Sequence, residues 1–188
     1  PYLERLRDSG VPILYISHAI EEVARLATTL VLLRDGRVER SGPVGDLLSD
    51  PIVAARLGPS QAGAMLEGRV IGLDDAGLAT VETSVGILYI AGVEAPLGKP
   101  LRIRIRAEDV IVARLRPEGL SALNILPATV EAIQPGLGPG VMLRLRAQDG
   151  ALLARVTRRS VEVLGLETGQ AVWAVLKTSG VARIDVGG

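Results

Sequence analysis

A change of period near residue 60 constrains this chain more than any other feature. Before it, short apolar runs alternate with helical spacings. After it, apolar and polar residues take turns, as in Leu101-Arg102-Ile103-Arg104-Ile105-Arg106. Period two puts alternate side chains on opposite faces of a strand, so this run predicts a half-buried strand. Its arginines are expected on a solvated face. The breaker-rich run Gly58-Pro59-Ser60-Gln61-Ala62-Gly63 lies where the character changes. The chain is therefore read as 1–58, a linker at 59–65, and two β-rich units at 66–120 and 121–188.

The first part opens on an amphipathic helix at Tyr2, Leu3 and Leu6, closed by Gly10. A helix already under way at the first residues implies a start inside a longer protein. Ile13-Leu14-Tyr15-Ile16 reads as a short buried strand of the parallel kind. Ile20, Val23, Ala24 and Ala27 give a helical stripe, and Thr29 to Leu33 a second strand. Asp35-Gly36 predicts a tight hairpin into Arg37-Val38-Glu39-Arg40. Val44–Leu48 and Ile52–Leu57 read as short helices divided by Asp50-Pro51. The order helix, strand, helix, strand, hairpin is the ending of an α/β domain.

The β-rich part repeats. Residues 68–73 resemble 128–133, and 97–110 lie on 168–181 without a gap. In that register Arg106 overlies Lys177 and Glu108 overlies Ser179. Tandem similar units predict paired small barrels or one pseudo-symmetric β domain.

Composition removes several chemistries. There is no Cys and a single His, so thiolate and histidine-rich metal sites are excluded. Lys plus Arg and Asp plus Glu both number 21, so no net charge draws the chain to nucleic acid. Aromatic residues for base stacking are missing from the basic strand. No apolar run approaches the roughly 20 residues that span a bilayer.

The single histidine, His18, follows the first apolar run and precedes a helical pattern. A polar residue at the carboxyl end of a sheet strand is where open α/β folds place ligand groups. Capping of the next helix is the plainer reading on position alone, with Glu21 placed for a capping box.

The surrounding order changes that balance. Tyr15-Ile16-Ser17-His18-Ala19-Ile20-Glu21-Glu22-Val23, then Leu30 to Val38 with its hairpin, then Glu39-Arg40-Ser41-Gly42-Pro43, resembles the end of an ABC-transporter nucleotide-binding domain. The resemblance implies that His18 is the switch histidine, contacting the γ-phosphate of ATP and the attacking water. No Gly-x-x-x-x-Gly-Lys-Ser/Thr loop, signature or Mg²⁺-binding acidic strand is present. The fragment alone is thus not expected to turn ATP over.

Ile105 to Val110 is similar to a strand end of importer accessory domains. Ser121-Ala122-Leu123-Asn124-Ile125-Leu126-Pro127, the segment Val156 to Gln170, and Val175-Leu176-Lys177-Thr178-Ser179 resemble a Mop-type molybdenum-binding unit. The resemblance implies an α/β remnant of an ABC ATPase followed by an all-β TOBE/Mop-like (OB-type) barrel domain of two related units. It implies an ABC importer for molybdate or tungstate, with ATP and Mg²⁺ mostly outside this chain.

A tetrahedral dianion offers only acceptors, so it needs a cation, hydroxyls and free N–H groups. Ser121, Asn124, Lys177, Thr178 and Ser179 would supply them. The family often has a basic residue where Leu123 stands, and its loss implies either weaker anion binding or a shift of the work to Lys177. The plain alternatives are a strand lysine in solvent and turn residues at Ser121 and Asn124. Arg158-Arg159 are expected on a solvated face. Implied partners are a second copy of the subunit, membrane permease subunits and, indirectly, a periplasmic oxyanion-binding protein. The implied location is the cytoplasmic face of the cell membrane. A free-standing oxyanion store or sensor, and an importer ATPase for sugar, polyamine or iron, remain open.

Overall fold

The computed structural model describes residues 2–57, 62–93, 95–136, 138–178 and 181–185. Its first part carries helices α1 (Tyr2–Asp8) and α2 (Ile20–Leu26). Strands β1 (Thr29–Arg34) and β2 (Arg37–Pro43) follow, then helices α3 (Val44–Leu48) and α4 (Pro51–Leu57). The β1–β2 hairpin turns through Asp35 at φ 49° and Gly36 at φ 74°. Two successive positive φ angles are what a type I′ turn requires, and Asp-Gly supplies them. Asp50 starts α4: its Oδ1 accepts the Ile52 and Val53 N–H groups at 2.7 and 3.2 Å. Pro51 fits the first helical position, where no N–H is needed.

Residues 13–16 do not form the expected strand. They have no regular secondary structure and no ladder partners among the described residues, and Leu14 and Ile16 are 93% and 87% exposed. A parallel strand takes its hydrogen bonds from neighbours on both sides. Among the described residues no strand flanks this run.

The second part holds β3 (Gly63–Leu73), β4 (Leu78–Thr83), β5 (Gly86–Ala91), β6 (Pro100–Arg106) and β7 (Ile111–Ala113). It continues with β8 (Asn124–Pro135), β9 (Gly140–Ala147), β10 (Gly150–Thr157), helix α5 (Arg158–Leu164), β11 (Ala171–Leu176) and β12 (Val181–Asp185). Two antiparallel five-stranded sheets result, ordered β12-β6-β3-β4-β5 and β10-β9-β8-β11-β7. They share one aliphatic core, including Val81, Leu88, Ile103, Leu143, Leu145 and Leu152.

The repeat is structural. β3 slips register between Val70 and Gly72, and β8 between Val130 and Ala132. Val70 exchanges hydrogen bonds with Gly98 and Lys99 at 2.8 and 3.2 Å, as Val130 does with Gly169 and Gln170 at 2.8 and 2.9 Å. The units also trade strands: β7 pairs with β11, and β12 pairs with β6. Each sheet therefore needs a strand from the other unit to be complete.

The arginine face of β6 is corrected. Arg104 is 3% exposed and Arg102 is half-buried, because that face packs under the first part of the chain rather than facing water. Arg102 Nη1 donates to the Ala27 carbonyl at 3.2 Å, just past the end of α2. A cation at a helix C-terminus satisfies carbonyls that lack intrahelical donors.

Candidate functional site

Two regions carry the expected functional residues. The first is the loop before α2. His18 is exposed and makes no hydrogen bond among the described residues. It does not cap α2: the N-cap is Ala19, whose N–H is accepted by Ser17 Oγ at 3.0 Å. Glu22, one turn into α2, gathers the residues around His18. Its Oε2 accepts from Tyr15 Oη at 2.8 Å and from Ser17 Oγ at 3.3 Å. The bond from Tyr15 to the Glu22 carboxylate pushes the Tyr15 phenol above its ordinary range, because ionised Tyr15 would lose that donor and face a like charge. The loop thus turns back on its helix and leaves the imidazole free.

The second region is the end of the β8–β11 ladder. Asn124 pairs with Leu176 in register, so the start of β8 and the residues after β11 lie together. Ser121 and Lys177 are exposed there, and Thr178 is half-buried. Leu123 is 51% exposed beside them. Ser179 lies outside the described residues. Asn124 is 1% exposed and its amide is occupied by the main chain of Tyr89. It holds β5 against β8, which leaves Lys177, Thr178 and Ser121 as the available donors.

A polar cleft of about 540 Å³ lies between the two parts. Its walls include Asp46, Ser49, Glu131, Arg144, Arg146 and Gln148. Arg144 Nε donates to Glu131 Oε2 at 2.7 Å, and Arg144 also donates to the Ser49 carbonyl. Arg146 reaches Glu131 at 3.5 Å. Nothing in the local pattern of β9 announces this tie, since the partners are far apart in sequence.

Known proteins resemble both parts of the chain. The TOBE domain family matches residues 120–182. The molybdenum import ATP-binding protein ModC of Rhizobium etli is 48% identical over 180 residues, covering 95% of this chain and 50% of that protein. ModC of Methylococcus capsulatus is 42% identical over 181 residues, covering 95% of this chain and 51% of its own length. The chain is a homologue of the ModC proteins and carries a TOBE domain. It spans about half the length of the curated relatives it matches.

Among solved structures, the cytoplasmic molybdate-binding protein ModG, with molybdate bound, aligns with a TM-score of 0.58 at 25% identity. That alignment covers 64% of this chain and 94% of ModG. The second part is accordingly a TOBE/Mop-like, OB-type β domain, and the α/β segment precedes it as the sequence predicts. No helix of the described residues is long and apolar enough to cross a membrane.

Proposed function

We propose that the chain is the C-terminal part of the ATP-binding subunit of an importer for molybdate or tungstate. The observation that carries this reading is the ModC likeness over 95% of the chain, which includes the His18 loop as well as the β domain. In this reading His18 is the γ-phosphate sensor of an ATP site built mostly by other segments. ATP with Mg²⁺ supplies the phosphoryl group whose loss drives the cycle. An exposed imidazole with neither nitrogen bonded among the described residues fits that contact. It can donate to a phosphate oxygen or orient water, and the Glu22 clamp holds Tyr15 and Ser17, just before the histidine.

The β domain binds the oxyanion as a feedback signal. Lys177 supplies the point charge, Thr178 and Ser121 the hydroxyls, and Ser179 completes the set. Asn124 contributes by fixing β8, and its own groups stay on Tyr89. Two subunits associate, dock on permease subunits at the cytoplasmic face of the membrane, and receive substrate through a periplasmic binding protein.

A free-standing oxyanion sensor is the second reading, supported by the ModG likeness of the β domain. The experiment that separates them is His18→Ala in the complete protein. The importer reading expects ATP binding to persist and turnover to fall by about 100-fold, the scale for removing one transition-state donor. Unchanged turnover removes His18 from the mechanism.

A further inference from the structure

The internal symmetry of the β domain gives Lys177 a counterpart. Ile105 stands opposite Ala64 in the β3–β6 ladder, as Leu176 stands opposite Asn124 in the β8–β11 ladder. The next residue in each case is basic: Arg106 in the first unit, Lys177 in the second. Each is followed by a 3-10 turn, at Ala107–Asp109 and at Thr178. Each chain then crosses to the other sheet as β7 or β12.

The two positions differ in what the cation meets. In the first unit the Arg106 guanidinium is paired with the Glu108 carboxylate, two residues on. Sequence register sets Glu108 on Ser179, which has no charge. Arg106 Nε is buried and has no hydrogen-bond partner among the described residues. The side chain is 40% exposed, and its guanidinium carries N–H donors beyond the one that meets Glu108. A planar fork of donors accepts a carboxylate or a tetrahedral oxyanion with the same chemistry.

A carboxylate tethered so closely competes at an effective concentration on the order of millimolar. Free oxyanion at micromolar levels does not displace it. We propose that Arg106 heads a second oxyanion subsite in the first unit, kept closed in the native chain by the Glu108 carboxylate. The native chain then takes up anion through the Lys177 end alone. The inference rests on the oxyanion reading for its class of ligand, and not on Lys177 itself.

The test is equilibrium dialysis of the whole chain against molybdate, with bound molybdenum per chain measured by mass spectrometry. Glu108→Ser is expected to bind one more molybdate per chain than the native protein. Adding Arg106→Ala to that variant is expected to remove the gain. Glu108→Gln removes the charge with little change of shape and is expected to gain the same site, which guards against a folding defect in the serine variant. Equal binding by native, Glu108→Ser and Glu108→Gln chains overturns the proposal. A native chain that binds none while Glu108→Ser binds one overturns the Lys177 site and supports this one.

Discussion

The side-chain amide of Asn124 pairs with the main chain of Tyr89 as another strand residue would. Asn124 Oδ1 accepts the Tyr89 N–H at 2.7 Å, and Nδ2 donates to the Tyr89 carbonyl at 3.0 Å. β5 is the edge of its sheet, and β8 lies at the centre of the other. One buried side chain thus joins the two sheets.

Asn124→Ala leaves both Tyr89 groups without partners. The expected cost is about 2–3 kcal/mol, from burying unpaired polar groups. Thermal unfolding followed by circular dichroism should show a midpoint about 5–10 °C lower. An unchanged midpoint means that Tyr89 finds water instead.

Arg144 ties the β domain to the end of α3 through the Ser49 carbonyl and is steadied by Glu131. The pair is partly exposed, so its contribution is expected at about 1 kcal/mol or less. Arg144→Met should raise amide exchange across α3 and α4 while the β8–β9 ladder stays protected. Faster exchange in β8 and β9 as well would mean a general loss of stability.

Tyr15 gives a pH prediction. Its folded pKa is raised, chiefly by the bond to Glu22. A group raised on folding stabilises below its unfolded pKa, and the contribution is lost as pH rises through the folded value. The Tyr15–Glu22 clamp should therefore hold through neutral pH and release only in alkaline solution, above the range where an ordinary tyrosine ionises. Ultraviolet titration should show one late-ionising tyrosine, and Glu22→Gln should bring it back toward the others. No difference between native and variant titrations would remove the clamp.

Local signals were legible where the responsible chemistry is local. Asp35-Gly36 specified its hairpin, Asp50-Pro51 divided α3 from α4, and the repeat appeared with its register intact. Residues that act at a distance were not. Nothing in a period-two pattern says that Arg102 ends on α2, that Arg104 is buried, or that β7 and β12 change sheets. Asn124 shows the same limit at the site: a turn-like residue type in sequence is a buried brace in the fold. The helix α5 did carry a signal, with Thr157 capping the Ser160 N–H and Gly165 in the left-handed region. The flanking strands hid it, because Val161 and Leu164 pack on the same core as β10.

The central claim is that this chain binds a tetrahedral oxyanion through the residue after β11. Calorimetry of the chain with molybdate, native against Lys177→Ala, tests it most directly. The account predicts measurable binding by the native chain, weakened about 10-fold or more in the variant, the scale of a charged hydrogen bond. No heat with the native chain, or equal affinity in the two proteins, would contradict it.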